Sequence, residues 1–309
     1  MRHGAPLDYF SHVYGPVARS MQALGWTYTA ICVGVCLVII GLLMTAMMRR
    51  RGGGDRIVTE SGPALTWVMI GSGVSTLILF GMAIYAFIAL RAVAAPAKAP
   101  VTIAVTGYDW WWKADYGGVV VANELHIPTG VPVKIDLRSA DVIHAFWVPQ
   151  LAGKTQMIPG VTTHQWLQAD RPGVYRGQCT QFCGEQHAHM AFEVVAQSPA
   201  DYRAWLAAQA ANAAAPSSAL AQTGQHYFRS HCGGCHSVRG TEATGQHAPD
   251  LTHLMSRREL AAGLTPNTPD NLINWVEHAQ DLKPGTRMPS FDLTPEQRTA
   301  LKAYLTGLS

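Results

Sequence analysis

Cys179-Thr-Gln-Phe-Cys183-Gly-Glu-Gln-His187-Ala-His-Met190 is the stretch that decides how this chain is read. Two cysteines four residues apart, a histidine four further on and a methionine close behind gather two thiols, an imidazole and a thioether in one short segment. Gly184 directly after the second cysteine argues for a tight ligand loop and against a helix. Thiolate and thioether donors are soft and suit copper. Two bridging thiolates can hold two copper ions close together. His144, well upstream, and His187 would supply one imidazole each, Met190 a weak thioether, and the main-chain carbonyl of Gln181 an oxygen. A disulfide is the plain alternative for Cys179 and Cys183, but it leaves the offsets of His187 and Met190 unexplained. His189 falls on no ligand position and reads as a surface residue, as do His126 and His164.

Around this loop the text is β-like. Val101-Thr-Ile-Ala-Val-Thr106, Glu124-Leu-His-Ile-Pro128, Pro132-Val-Lys-Ile-Asp-Leu137 and Phe192-Glu-Val-Val-Ala196 are short alternating runs broken by Gly and Pro. With no helical periodicity between them, they predict a β-sandwich or barrel. Further on, Asp201–Ala215 is alanine-rich and reads as a helix, with Pro216-Ser-Ser-Ala leading out as a linker.

A second motif follows. Cys232-Gly-Gly-Cys235-His236 has the C-x-x-C-H pattern of covalent c-type haem attachment. Both thiols can form thioethers, and His236 is then placed as the proximal ligand. Zinc is a poor fit, because adjacent Cys and His crowd a tetrahedral site. Helical periodicity over Gly224–Ser230, Asn271–Ala279 and Pro295–Thr306 predicts an all-α module, with Arg239–Leu264 mostly loop. Pro249-Asp-Leu251 and Arg287-Met288-Pro-Ser-Phe291 resemble loops of small bacterial class I cytochromes c. That resemblance makes Met288 the sixth iron ligand, a pairing with His that raises the reduction potential. Met255 lacks the Met-Pro context and reads as packing.

Towards the N-terminus, no charged residue falls between Arg19 and Arg49 or between Glu60 and Arg91. About 20 apolar helical residues cross a bilayer core, so both segments can span. The loop between them carries Arg49, Arg50, Arg51 and Arg56 against Asp55 and Glu60, which places it in the cytoplasm and both chain ends outside. The long polar lead before the first span, with Asp8 and Arg19, does not fit a cleaved signal peptide. Cys32 and Cys36, four apart on the first span, read as buried small apolar residues. All six cysteines are thereby placed, and a net charge of +3 gives no sign of nucleic-acid binding.

The region 101–196 resembles the cupredoxin domain of cytochrome c oxidase subunit II. The matching stretches are Asp141-Val-Ile-His144-Ala-Phe-Trp-Val-Pro149, Lys154-Thr-Gln-Met-Ile-Pro-Gly160, Arg171-Pro-Gly-Val-Tyr-Arg-Gly-Gln-Cys179, and the C-x3-C-x3-H-x2-M pattern itself. The two-span anchor matches too, so the likeness covers about residues 20–200. It implies a multidomain membrane protein: an external segment 1–25, transmembrane helices 26–48 and 63–91 around a cytoplasmic loop 49–62, and an all-β cupredoxin-like sandwich 92–199 with a dinuclear copper centre. A helix and linker 200–219 and an all-α cytochrome c domain 220–309 with one covalent haem c complete it.

The same resemblance makes Trp110, first of Trp110-Trp-Trp112, the point where electrons enter. The alternative is aromatic packing at the membrane interface, the preferred reading for Trp111 and Trp112. Glu60 could be the family's proton-uptake carboxylate or a solvated helix-start acid. Where the family often has Glu between the cysteines this chain has Gln181. The carbonyl role survives, but a neutral amide is a weaker magnesium ligand.

The implied function is electron relay in a haem–copper oxidase at the bacterial plasma membrane. The implied partners are subunits I and III, and an external donor, either cytochrome c or a quinol-oxidising complex. The alternative is the copper-bearing subunit of a nitric oxide reductase. A membrane-anchored carrier with no catalytic partner and a copper-delivery protein are more distant readings. Residues 101–197 hold eight acidic and six basic side chains and residues 220–309 eight of each. That near-neutrality suits a tethered cytochrome better than one recruited by charge steering.

Overall fold

The computed structural model describes residues 11–49, 63–94 and 99–309. The expected cytoplasmic loop, with Glu60 and every charged residue of it but Arg49, lies outside the described residues. The chain divides into two compact units, Val17–Ala94 and Met1–Pro16 with Ala95–Ser309.

The smaller unit is a pair of helices, α1 (Pro16–Met48) and α2 (Pro63–Val93), of 33 and 31 residues. At about 1.5 Å rise per residue both exceed the roughly 30 Å of a bilayer core. By length and composition both can cross a membrane. They run antiparallel, with the Ser20 hydroxyl donating to the Ala89 carbonyl (3.4 Å) and Tyr28 to that of Met82 (3.4 Å). Leu37, Leu42, Leu77 and Phe80 point outward with most of their surface uncovered, which lipid can solvate and water cannot. The first helix starts ten residues ahead of the expected span, because Pro16 is suited to a first helical turn and the helix carries on through the polar residues Arg19, Ser20 and Gln22. Cys32 and Cys36 are exposed, not buried as expected: the second helix does not cover that face.

In the larger unit the sandwich forms from two five-stranded sheets. One is ordered β3 (Val120–Ala122), β2 (Trp111–Asp115), β1 (Val101–Tyr108), β5 (Val133–Ser139), β8 (Thr163–Leu167). The other runs β4 (Glu124–Pro128), β10 (Ala191–Gln197), β9 (Gly173–Cys179), β6 (His144–Trp147), β7 (Lys154–Met157). β1 pairs parallel with β5, and β10 with β4, while the other ladders are antiparallel. Alternation in β1 and β5 puts Ile103, Val105, Val133, Ile135 and Leu137 inward, fully buried. Between the sheets Trp112 meets Phe146 edge-on and packs on Phe192. Trp112 is therefore core and not a membrane-interface residue, and Trp111 stacks on Tyr108.

Near the chain start Tyr14 joins this sandwich. Its N–H donates to Gln150 O (2.8 Å), its carbonyl accepts from Asp170 N (2.7 Å), and Arg171 lies over its ring.

Helix α3 (Pro199–Ala210) is capped by Ser198 and leans on the sandwich, where Trp205 stacks on His126 with centroids 3.9 Å apart. His126 is thus no surface residue: it is buried and bonds Glu124 (2.7 Å) and Gln197 (2.9 Å). His164 does stay exposed, bonded to Asp136. The segment after α3 is held on both sides. Ala213 N–H donates to Arg239 O, and Arg239 reaches back to the Gln209 carbonyl.

The last module packs α4 (Ala219–His231), α5 (Pro269–Glu277), the single turn α6 (Ala279–Leu282) and α7 (Pro295–Leu305) around one apolar cluster that includes Phe228, Val238, Leu272 and Leu301. Ser218, Thr268 and Thr294 cap the three longer helices, Thr294 in a reciprocal capping box with Gln297. A small ribbon, β11 (Glu259–Leu260) with β12 (Thr265–Pro266), interrupts the loop region.

Candidate functional site

The ligand loop leaves β9 at Cys179 and returns to β10 at Ala191, with a 3-10 turn over His187–His189. Gly184 is needed at its bend. Its φ is +112° and a Cβ there would lie 3.1 Å from the Trp110 ring. β6 delivers His144 from the neighbouring strand of the same sheet.

The six expected donors converge. Cys179 Sγ and Cys183 Sγ stand 3.8 Å apart, far beyond a disulfide bond of about 2.05 Å. His144 Nδ1 is 3.9 Å from Cys179, while His187 Nδ1 (3.5 Å) and Met190 Sδ (3.8 Å) face Cys183. The Gln181 carbonyl lies 3.2 Å from Cys179 Sγ. Each sulfur thus has its own imidazole, a donor set suited to soft metal ions. His144, Cys179, Cys183 and Met190 are buried, so water is kept from the donors.

Asp141 sets the direction of His144. The ring Nε2–H donates to its carboxylate at 2.8 Å, which turns Nδ1 towards the sulfurs. Asp141 is fixed in turn by the backbone N–H groups of Asp109 and Val142 (both 2.8 Å). Burial pulls the His144 pKa down, but hydrogen bonds to Asp141 and Cys179 outweigh it and carry it to about 9. The hydrogen bond between the two thiols holds Cys179 low and Cys183 high, so the metal-free pair shares a proton. Metal binding would release it. Gln181 directs its side chain to Gln156 (3.4 Å).

In the helical module the chemistry also fits its expected group. His236 Nδ1–H donates to Pro249 O at 2.7 Å, leaving Nε2 free to bind iron. Burial lowers its pKa, favouring the neutral ring that a metal requires. Cys232 is half-buried and Cys235 exposed, both free thiols able to form thioethers. Met288 and Phe291 lie against the apolar cluster, and so does Met255. Met255 N–H is engaged with Leu308 O (2.7 Å), which binds that segment to the chain's end.

Trp110 occupies a junction between the two sites. Its indole N–H donates to the Cys183 carbonyl at 2.9 Å. On its far side lies the segment Lys283-Pro-Gly285 of the helical module, where a Cβ on Gly285 would be 3.6 Å from the ring. Sequence reasoning missed the residues that close this seam. Lys283, 2% exposed, donates to the carbonyls of Trp110 (2.9 Å), His189 (2.7 Å) and Ala261 (2.8 Å), and burial lowers its pKa to about 7. Arg258 pairs with Glu193 (2.8 Å), and Arg176 with Glu259 (3.2 Å). A lysine in a loop carries no local mark of burial. Asp141 was readable only as part of the family stretch Asp141–Pro149. His189 keeps its side chain exposed, bonded to Gln186, away from the sulfurs.

Comparison with known proteins agrees with this geometry. Residues 113–198 match the family described as cytochrome C oxidase subunit II, periplasmic domain, and residues 221–309 match cytochrome c. Subunit 2 of cytochrome c oxidase from Alkalihalophilus pseudofirmus is 40% identical over 212 residues, 67% of this chain and 61% of that protein. The Bacillus sp. PS3 protein of the same name is 31% identical over 226 residues, 68% of this chain and 63% of its own. The alternative cytochrome c oxidase subunit 2 of Bradyrhizobium diazoefficiens is 26% identical over 243 residues, covering 86% of that protein. The chain therefore spans somewhat over three-fifths of the first two relatives. With the soft donors gathered on a β-sandwich and the C-x-x-C-H motif on a helical module behind it, the chain carries a cytochrome c oxidase subunit II periplasmic domain and a cytochrome c domain.

Proposed function

We propose that this chain is the electron-input subunit of a haem–copper terminal oxidase. Electrons from an external donor, a cytochrome c or a quinol-oxidising complex, pass from the cytochrome module to the copper loop and on to subunit I, which reduces oxygen to water. Subunit III is the further partner. No residue of this chain acts as general acid, base or nucleophile.

His144, Cys179, Cys183, His187 and Met190, with the Gln181 carbonyl, would hold two copper ions. Cys232 and Cys235 would hold one covalent haem c, and His236 and Met288 would bind its iron. When bound, these groups supply one-electron redox chemistry. The protein's part is to keep the donors from moving: β6, β9 and β10 clamp the loop at both ends, and Asp141 holds one imidazole. Trp110 is where electrons enter the copper loop. The observation that carries the reading is its placement, with the ring N–H on the carbonyl of one ligand and the ring edge on the cytochrome module.

Arginines between the two spans favour a cytoplasmic loop and put the redox domains outside the plasma membrane. The pairing of Tyr14 with the sandwich supports a chain start on that same side. Val142, Ile143, Val161 and Phe182, exposed apolar residues beside the ligands, support docking of this face on subunit I.

The test is oxygen uptake against NO consumption by the complex purified through a tag on this chain, with reduced donor supplied. Cyanide-sensitive oxygen uptake that is lost in Cys179→Ser supports the oxidase. NO turnover with little oxygen uptake would move the chain to a nitric oxide reductase, and neither activity would leave an anchored carrier.

A further inference from the structure

We infer that Lys283 is a positioning residue that locks the cytochrome module onto the copper loop, with Lys283–Gly285 as the contact on which Trp110 rests. This rests on the reading of the chain as an electron relay. Lysine is rarely buried, because its ammonium is strongly hydrated. Here it is 2% exposed and its three hydrogens meet three acceptors. Two of them, the carbonyls of Trp110 and His189, belong to the aromatic segment and the ligand loop. The third, Ala261, belongs to the cytochrome module itself. All three are main-chain atoms, so the ammonium fixes backbone to backbone without depending on another side chain's rotamer.

The neighbouring residues extend the same contact. Gln186, buried next to the ligand His187, donates through its side-chain amide to Pro284 O at 2.8 Å. Gly285 adopts φ +77°, and a Cβ there would come within 3.0 Å of Glu185 Oε2 and 3.6 Å of Trp110. A bare backbone at 285 lets the loop lie on the indole, three residues ahead of Met288. A role confined to folding of the cytochrome module does not account for this, since two of the three acceptors lie in the other module.

The experiment compares Lys283→Met and Gly285→Ala with the parent chain in the assembled complex. Electron transfer from haem c to the copper centre is timed after flash reduction. Midpoint potentials and the spectra of both centres are recorded alongside. Hydrogen exchange is followed at Ala191 N–H, which donates to Ala262 O, and at Arg258 N–H, which donates to Glu124; both bonds cross the seam. Hydrogen bonds to a charged group are worth roughly tenfold or more in an equilibrium constant. Lys283→Met should therefore slow transfer about tenfold or more and speed exchange at both amides, with potentials and spectra unchanged. Gly285→Ala, which leaves the ammonium in place, should slow transfer less. Transfer within twofold of the parent in both variants, or slowed transfer explained by shifted potentials, would overturn the inference. If Trp110→Phe slows transfer while Lys283→Met does not, the relay stands and this inference falls. If the parent itself passes no electron between its two centres, the relay reading falls first.

Discussion

Asp141 shows how a single side chain decides what a ligand can do. By accepting the Nε2–H of His144 it turns the other ring nitrogen to the sulfurs, and two backbone N–H groups keep the carboxylate in place. Asp141→Ala should weaken copper retention about 10- to 100-fold, the usual cost of losing such a partner; metal analysis after graded chelation measures it. Copper retained as in the parent chain would mean that packing alone orients the ring. At the haem end, Met288→His should lower the midpoint potential, since a thioether opposite histidine raises it, whereas Met255→Leu should leave it in place. A redox titration of the two variants reads the outcome, and the reverse pattern would make Met255 the ligand. The spacing of Cys179, Cys183, His187 and Met190 was legible because all four lie on one loop. Asp141 was visible only as part of a family stretch, because its role depends on a ring three residues away turning back towards it.

At the level of elements, α4 and α7 cross so closely at Gly224 that a Cβ there would sit 2.0 Å from the Ala300 carbonyl. Gly224→Ala should destabilise the cytochrome module by about 1–3 kcal/mol, the range for overpacking a tight contact. Denaturant unfolding followed through the haem absorbance would show it, and an unchanged midpoint would mean that the helices can part cheaply. Four strands were legible from alternation, and the three longer helices of the last module from their periodicity. The strands β2, β3 and β6 to β9 were not. β2 opens on two tryptophans and ends polar, β6 and β7 have four residues each, and β9 starts at Gly173 and is interrupted by Gly177. Such segments become strands because neighbours offer a ladder, not because their own pattern demands it. His126 was misread for a related reason. β4 is the edge strand of its sheet, yet α3 folds back and lays Trp205 over His126.

Taken whole, the larger unit holds its two redox modules together with a seam of opposite charges and one buried ammonium. Glu193 is nearly wholly buried while Arg258, its partner, is 44% exposed in its side chain. Arg258→Ala would leave a buried carboxylate unpaired. Removing one partner of a fully buried pair costs about 3–5 kcal/mol, and the open side of this one reduces that to roughly 1–2. The expected result is faster hydrogen exchange at Ala191 with copper content unchanged; protection equal to the parent's would show the pair to be incidental. By itself the sequence determined the two apolar spans, the soft donor loop, the haem motif and their order along the chain, because each is written within a few residues by hydropathy or ligand spacing. The tertiary structure alone decided that Asp141 aims His144, that Trp112 and His126 are buried, that α3 covers the sandwich, and that Lys283 ties the cytochrome module to Trp110. Those depend on how side chains turn and on residues up to 173 positions apart meeting in space, and a local pattern carries no record of either.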